Sequence, residues 1–368
     1  MRHRLAASFL AMAVAWCAIA LHPAHARLDG PEPKSSAPAK PASQTNSGLQ
    51  AAPAIAGMIS QVQTTDLYSL TAELTGEWPA IVGGEPYTIS TRFTGSITPV
   101  QKATQYAYEW TAGAGIAVDY HPWSAGGYSN RNVVAVITGT LRPDEIVMAV
   151  AHLDNLSPVD SRMTLAPGAD DNASGSTAVL TMARIFSQYS FSRTVRLALF
   201  TGEEQGLLGS SVYAAEARAR GDNIVAVVNM DMIAWNSPGT TPTLDIHIRQ
   251  TNSAGYTDDL TLASVFTSVV TTYGLSDALI PTIHPTGLWA SDHSVFWQQG
   301  YPAMLLIEDY QWPDRDFNPY YHTVSDTLQH LDMDYFTAFV KAALGTVAHL
   351  AHPIVPLYVV YLPLVQHP

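Results

Sequence analysis

Cysteine is nearly absent from this sequence, since Cys17 is the only one among 368 residues. It lies in an apolar stretch, residues 5–21, between the charged residues 1–4 and an Ala24-His25-Ala26 triplet. These three features together are typical of a secretory signal peptide, so we predict that residues 1–26 are removed from a Sec-exported, secreted protein. The mature chain would then contain no disulfide and no thiolate ligand for a metal.

Two other interpretations of this stretch fit it less well. A retained membrane anchor would use the same apolar run, but the run is short for a span and is interrupted by Trp16 and Cys17. A lipid-modified Cys17 would need small residues before it, and Trp16 precedes it directly. We therefore expect no membrane association of the mature protein.

Positive charge is scarce as well. The chain has 18 lysines and arginines against 31 aspartates and glutamates, a net charge of −13. Loss of the predicted signal peptide, with two arginines and no acidic residue, would change this to −15. Nucleic acids and anionic membranes require basic patches, so neither is an expected partner. Hydrophobic residues make up 47% of the chain, enough for the core of one soluble, monomeric domain.

Hydrophobic periodicity is missing at both ends of the mature chain. Residues 27–56 combine five prolines with serine, alanine and glutamine, which predicts a disordered linker. Residues 353–368 are apolar but interrupted by prolines, which we interpret as a peripheral tail. The segment between them, residues 57–352, is predicted to form a single domain.

Within this domain, strands alternate with helices. One helical face is predicted from Ile59 to Leu74, followed by a strand over residues 87–91. Further strands are predicted over 132–138, 145–151, 195–200, 224–230, 245–249 and 301–307. Further helices are predicted over 101–110, 174–190, 207–219, 256–273 and 334–352. This alternation predicts an α/β sandwich with a mixed, largely parallel central sheet.

Polar residues with metal-binding chemistry follow three of these strands. His152 comes after the strand over 145–151, the Glu203-Glu204 pair after that over 195–200, and Asp231 after that over 224–230. Open α/β sheets bind their ligands beyond the carboxyl ends of the strands. We therefore expect these side chains to share one crevice.

A turn rich in small residues, 167–176, adds the adjacent carboxylates Asp170 and Asp171. Alone, such a turn would be interpreted as the cap of the helix that follows. Together with two histidines, however, it completes the ligand set of a site for two divalent ions. Such ions require a bridging carboxylate, which the aspartate pair supplies. The remaining ligands, one histidine and one terminal carboxylate for each ion, are predicted to be His152, His322, Glu204 and Asp231.

These ligands offer only nitrogen and oxygen, which suits two Zn²⁺ and also accommodates Mn²⁺ or Co²⁺. Asp154 is placed to hold the second ring nitrogen of His152. Glu203 is left without a metal to bind, so it is the predicted general base that takes a proton from the attacking water.

Several motifs, in this order along the chain, resemble those of the M28 family of metallopeptidases. They cover roughly residues 58–352. The motifs are His152-x-Asp154, Pro167-Gly168-Ala169-Asp170-Asp171-Asn172-x-Ser174-Gly175, Thr201-Gly202-Glu203-Glu204-x-Gly206-Leu207-x-Gly209-Ser210, Asn229-Met230-Asp231-Met232, Ser291-Asp292-His293, Gly300-Tyr301-Pro302-Ala303 and Tyr321-His322-x-x-x-Asp326.

The resemblance implies a zinc exopeptidase-like, three-layer α/β/α sandwich and a co-catalytic dizinc aminopeptidase acting on peptides or proteins with a free N-terminus. It selects Asp171 as the bridging ligand, and it makes Glu203 the base and Glu204 a ligand. It also implies a cis peptide bond after Asp171 and an oxyanion-stabilising role for Tyr321. The predicted supporting residues around the ligands are Asp170, Asn172, Ser291 and Asp292.

Other functions on the same fold were weighed. A carboxypeptidase or dipeptidase is the main alternative. A glutaminyl cyclase is disfavoured because Tyr321 stands where those relatives have tryptophan, and a non-catalytic receptor domain is disfavoured because no ligand is missing. The aromatic residues near the last ligand either belong to the core or line an apolar pocket, and as a pocket they predict a preference for large apolar N-terminal residues. They are Trp289, Trp297, Tyr310, Trp312, Phe317 and Tyr320.

Overall fold

The computed structural model describes residues 49–310 and 315–354. Its strands are β1 (Ala80–Val82), β2 (Glu85–Tyr87), β3 (Ala117–Ala125), β4 (Tyr128–Ile137), β5 (Arg142–His152), β6 (Arg193–Phe200), β7 (Asn223–Met230), β8 (Thr243–His247), β9 (Ile280–His284) and β10 (Ala303–Glu308). Its helices are α1 (Pro53–Ser60), α2 (Thr64–Thr75), α3 (Thr98–Gly113), α4 (Gly175–Phe186), α5 (Leu208–Arg220), α6 (Tyr256–Thr272), α7 (His293–Gln298) and α8 (Met333–Ala351).

Eight of the strands form one mixed sheet in the order β3-β4-β6-β5-β7-β10-β8-β9. The four central strands, β6, β5, β7 and β10, run parallel to one another. Strands β4 and β8 pair antiparallel with this centre on either side. Strand β5 from Ile146 onward, most of β7 and all of β10 are buried, as their near-continuous apolar runs require.

Helices cover both faces of the sheet. Along β5, the side chains of Val147, Ala149 and Ala151 pack in the larger core, which includes residues of α4, α6 and α8. Met148 and Val150 face the opposite way, toward α5 and α7. This alternation with a period of two residues confirms the predicted α/β/α sandwich.

Several boundaries differ from the sequence-based expectation. Helix α1 begins at Pro53, inside the predicted linker, because Ile55 is buried against the core. The single helical face expected from Ile59 to Leu74 is two helices, α1 and α2, separated at residues 61–63 where Gln63 is extended. The strand expected over 87–91 is only the end of β2, while β3, β9 and α7 were not predicted.

The predicted signal peptide lies outside the described residues, as do most of the predicted linker and tail. Of the tail, Pro353 forms a bridge with Phe191, and the Ile354 amide donates to the Ser190 carbonyl. Among the described helices, none combines the length and the apolar character that crossing a membrane requires.

Candidate active site

The strand register brings the predicted ligands to one edge of the sheet. His152 is the last residue of β5 and pairs with Phe200 at the end of β6. Asp231 directly follows β7, the strand on the other side of β5. Because these strands are parallel, their carboxyl ends converge there, as the sequence predicted.

Asp171 lies between the two histidines and presents one oxygen to each. Its Oδ1 is 3.3 Å from Nε2 of His152, and its Oδ2 is 3.1 Å from Nε2 of His322. Asp231 Oδ1 lies 3.1 Å from the same nitrogen of His152. Glu204 Oε2 lies 2.9 Å from that of His322. The five predicted ligands therefore form two sets that share Asp171.

These residues line a cavity of about 280 Å³. Glu203, Ser291 and Tyr321 also line it, while Asp154, Asp170, Asn172 and Asp292 lie behind its walls. The ring of Tyr321 stacks on that of His322 at 3.7 Å, and 40% of its surface is exposed. Tyr321 therefore lies at the cavity next to the predicted ligand His322.

The ring of His152 is held differently from the prediction. Its Nδ1 donates to the main-chain carbonyl of Asp154 at 3.0 Å, whereas the Asp154 carboxylate is 3.8 Å away. That carboxylate instead accepts from the Thr94 hydroxyl at 2.9 Å and the Glu203 amide at 3.2 Å. Asp154 thus orients His152 through its backbone, and its side chain anchors the loop that carries Glu203.

The turn that carries Asp171 is fixed from the side of His322. Asp326, four residues after His322, accepts the amide of Asp170 with Oδ1 and the amide of Asp171 with Oδ2, both at 3.1 Å. The peptide bond between Asp171 and Asn172 is cis, as the family resemblance implied. Asn172 accepts the Gly175 amide at 2.8 Å and so closes the turn onto α4.

Asp170 is not a ligand but a buried support. Its Oδ1 accepts the Ala234 amide at 2.9 Å and its Oδ2 accepts the Asn318 side-chain amide at 3.0 Å. Burial raises its pKa to about 6. Burial likewise raises the pKa of the neighbouring Asp326 to about 8 and that of Glu308 well above its usual range.

Two further predicted residues support Asp231 or lie close behind it. The hydroxyl of Ser291 donates to Asp231 Oδ2 at 2.6 Å and accepts from Asn229 at 2.7 Å. Asp292 is fully buried, which raises its pKa to about 7. It adds negative charge near Asp231 without touching the cavity.

Carboxylates outnumber cations in this cavity, and their pKa values reflect it. Burial, together with the charges of Glu204 and Asp231, raises the pKa of Glu203 well above its usual range, although His152 opposes the shift. Burial and the charge of Asp171 raise the pKa of Glu204 to about 7. For Asp171 burial acts in the same direction, but the two histidines outweigh it and lower the pKa below its usual range.

The donor atoms suit metal ions. One oxygen of Glu204 is buried without a hydrogen bond to any described residue. Ligand atoms of His152, Asp171 and Glu204 lie within 4.8 Å of one another. Each of the two imidazole nitrogens faces two carboxylate oxygens, and this set of nitrogen and oxygen donors is one that a divalent cation can bind in place of a proton.

Part of the cavity lining is apolar and aromatic. Of the predicted aromatic residues, Tyr310 and Phe317 line the cavity, and their rings pack at 5.4 Å. Trp289 and Trp297 pack on each other, Tyr320 stacks on His330, and none of them is a lining residue. Trp312 lies outside the described residues.

Sequence reasoning missed other parts of this lining. Leu305 and Ile307 line the cavity from β10 together with Met232, Leu288 and Arg315. Leu305 and Ile307 are two residues apart on a strand that ends at this edge, so the period-two rule could have identified them. Met232 directly follows the predicted ligand Asp231, so its position in the sequence also indicated that it lies at the cavity.

Comparisons with known proteins found similar sequences among proteins named leucine aminopeptidase. The leucine aminopeptidase 1 of Trichophyton equinum is 31% identical over 234 residues, covering 61% of this chain and 59% of that protein. The probable leucine aminopeptidase 1 of Trichophyton verrucosum is 31% identical over 259 residues, covering 68% and 65%. The chain therefore spans less than two thirds of the length of these relatives.

Solved structures share the fold. The LapA aminopeptidase of Legionella pneumophila matches with a TM-score of 0.64 at 20% identity, covering 84% of this chain and 78% of that one. The glutaminyl cyclase of Porphyromonas gingivalis matches with a TM-score of 0.61 at 17% identity, covering 78% and 98%. The model of Peptidase family M28 matches residues 132–347, more than half of the chain. This protein therefore belongs to peptidase family M28.

Proposed function

We propose that this protein is a secreted, metal-dependent aminopeptidase that removes N-terminal residues from peptides. The observation that carries the proposal is Asp171, whose two oxygens face the two histidines above a cavity also lined by Glu203. The similarity to proteins named leucine aminopeptidase supports the choice of reaction.

The ligands fit two Zn²⁺ ions, and Mn²⁺ or Co²⁺ would find the same donors. His152 and Asp231 would hold one ion, His322 and Glu204 the other, and Asp171 would serve both. Such ions, when bound, act as Lewis acids and lower the pKa of water from about 15.7 to roughly 7.

Glu203 is the proposed general base. Its carboxylate lines the cavity, and none of the hydrogen bonds or ion pairs found among the described residues involves that carboxylate. Its main-chain amide is held by Asp154, which fixes where the side chain begins. Glu203 would take a proton from the attacking water and deliver it to the departing amine. The Tyr321 hydroxyl would donate a hydrogen bond to the developing oxyanion.

Similarity to proteins named leucine aminopeptidase favours a substrate with a free amino terminus. The charge of the cavity does not decide this, because two bound divalent ions would offset the carboxylates of Glu203, Glu204, Asp171 and Asp231. The apolar lining residues Met232, Leu305 and Phe317 favour a large apolar N-terminal side chain.

One observation favours a second candidate. Arg315 lines the same cavity and lies over the ring of Phe317 at 4.9 Å. A guanidinium there could bind the C-terminal carboxylate of a short substrate, as a dipeptidase or carboxypeptidase requires.

One peptide in four forms separates these activities. The unmodified peptide and the C-terminally amidated peptide should be cleaved equally, while N-terminal acetylation should abolish cleavage. Loss of activity on amidation would favour the dipeptidase or carboxypeptidase. A fourth form, which begins with glutamine, should release that glutamine as a free amino acid. Release of ammonia with ring closure of the glutamine would identify a cyclase instead. In a panel of N-terminal residues, leucine or phenylalanine should be preferred over aspartate, glutamate or lysine.

The location follows from the N-terminal sequence. We propose that residues 1–26 direct export, and that the mature, monomeric protein carries residues 27–56 as a leading segment and residues 353–368 as a peripheral tail. N-terminal sequencing of the exported protein should begin at Arg27. Protein found only in the cytoplasm with Met1 retained would refute the export proposal.

A further inference from the structure

Arg92 lies outside the region that matches the family model, between β2 and α3, and its side chain is completely buried. A buried guanidinium normally pairs with a carboxylate, because an isolated charge is costly to remove from water. Arg92 instead directs its donors at main-chain carbonyls.

Three segments supply these carbonyls. Nε donates to Leu153 at 2.8 Å, and Nη1 donates to Leu74 at 2.6 Å. Nη1 also donates to Pro167 at 2.8 Å, and Nη2 donates to Gly168 at the same distance. The guanidinium thus joins the end of α2, the segment after β5 and the turn before α4.

Two of these segments carry metal ligands. Leu153 directly follows His152, and Gly168 lies three residues before Asp171. The amide of Arg92 reinforces the link, since it donates to Asn155 Oδ1 at 3.0 Å while the Asn155 side chain donates to the Ala166 carbonyl. One residue therefore fixes the spacing between the strand that bears His152 and the turn that bears Asp171.

The charge of Arg92 also acts on the site. Burial lowers its pKa to about 10, so it remains a cation near neutral pH. The charges of four nearby acids oppose that lowering of the pKa, namely those of Asp326, Asp171, Asp154 and Glu204. Arg92 accordingly provides a permanent positive charge behind a cluster of buried carboxylates.

We infer that Arg92 is a positioning residue of the metal centre: its guanidinium holds the carbonyls of Leu153, Pro167 and Gly168 and thereby sets the His152–Asp171 distance. The inference rests on the proposed metal-dependent function. Lysine cannot replace arginine here, because a single ammonium lacks the planar fork that reaches several carbonyls at once.

Arg249 is a matched control. It is a second buried arginine, paired in two bonds of 2.6 and 2.7 Å with Asp259 and bonded to the Tyr301 carbonyl. None of these partners belongs to the metal-ligand set or lines the cavity. Arg249→Lys should therefore disturb packing without disturbing the metal centre.

The test compares Arg92→Lys and Arg92→Gln with Arg249→Lys and the wild type. Each metal-free protein is titrated with Co²⁺, whose visible absorption reports ligand geometry, and Zn²⁺ affinity is measured by competition with a chelator. Both Arg92 variants should bind about 10–100-fold more weakly, the usual cost of losing a residue that orients metal ligands. Their Co²⁺ spectra should also change, and kcat should fall more than KM rises.

Arg249→Lys should lower the melting temperature and leave the affinity and the spectrum of the folded protein unchanged. Arg92 variants with wild-type affinity and spectrum but a lower melting temperature would overturn the inference and leave the proposed function intact. A wild-type protein that bound no Co²⁺ would overturn both. Lysine and glutamine differ in charge and bulk, so if one variant fails to fold the other still decides the question.

Discussion

The two histidines of the candidate metal site differ in depth, whereas the terminal carboxylates Asp231 and Glu204 are both nearly buried, at 9% and 3% exposure. The inner set is His152, Asp231 and Oδ1 of Asp171, and the outer set is His322, Glu204 and Oδ2 of Asp171. The His152 side chain is 1% exposed, whereas that of His322 is 30% exposed. His152 ends a buried central strand, while His322 lies in a loop with a positive φ of 57°.

This difference has consequences for ion binding. The inner set is built on β5 and β7 and is held by the Asp154 carbonyl and the Ser291 hydroxyl. The outer set depends on a loop whose histidine stacks on Tyr321 and contacts Asp171 and Glu204. Donors on rigid elements lose less freedom when an ion binds. We therefore expect the inner ion to bind more tightly and the outer ion to exchange first.

The largest expected effect comes from Glu203, which belongs to neither set. Glu203→Gln should leave both ions bound, because no ligand is lost, and should lower kcat by about 10²–10⁴-fold with little change in KM. Glu204→Gln should instead lose the outer ion together with activity. Metal content and steady-state kinetics of the two purified variants provide the measurement.

Each variant has an outcome that contradicts these roles. Near-normal turnover in Glu203→Gln would rule it out as the base. An ion missing from Glu203→Gln but present in Glu204→Gln would exchange their assignments and redefine the outer set.

Stepwise chelation should remove the outer ion first and the inner ion second. An ion present at 100 times its dissociation constant stabilises the folded state by about 2.7 kcal/mol. A weak chelator should remove one ion and abolish activity, while a strong chelator should remove the second and lower the melting temperature further. Thermal unfolding and metal analysis at each step report the order. Loss of both ions in a single step would show that the two sets do not differ, and unchanged activity without ions would refute the metal-dependent function.

Substitution of the histidines should have a smaller effect, on the free energy of unfolding of the metal-free protein. His152→Ala leaves the buried Asp154 carbonyl without its donor, which should destabilise the fold by about 1–3 kcal/mol. Both substitutions also break two contacts with carboxylates, those of His152 with Asp171 and Asp231 and those of His322 with Asp171 and Glu204. His322→Ala should cost less, because its ring is partly exposed and its loss does not remove the donor to the Asp154 carbonyl. Chemical denaturation of both metal-free variants gives the comparison. An equal cost for the two substitutions would contradict the difference in depth.

The sequence predicted the inner set better than its supports. His152 and Asp231 are located by strand ends, and strand ends follow from apolar runs such as that of β7. The carbonyl of Asp154 that orients His152, and the carbonyls held by Arg92, are main-chain groups. Every residue carries such a carbonyl, so its use leaves no pattern in the sequence.

The elements missed by sequence reasoning also have physical reasons. Strand β3 lies at an edge of the sheet and includes Pro122 beside polar Asp119 and His121, so its apolar alternation is weak. Helix α7 has only six residues, too few to show helical periodicity. The break between α1 and α2 falls at Gln63, where no glycine or proline marks it.

The smallest predicted effect is a proton released when the outer ion binds. Burial alone would lower the pKa of His322, but Asp171 and Glu204 outweigh it and raise that pKa to about 10 in the metal-free protein. The unfolded-state pKa is about 6.5, so this protonated histidine stabilises the metal-free fold fully below about pH 6.5, and the contribution is lost as pH rises through about 10. Near neutral pH the outer ion must displace this proton, so its affinity should rise about tenfold per pH unit. Calorimetric titration in two buffers with different ionisation enthalpies counts the released protons, and His322→Ala should release one fewer than wild type. Equal proton release by the two proteins would mean that His322 is neutral before the ion arrives, and the outer set would then have no pH dependence of this origin.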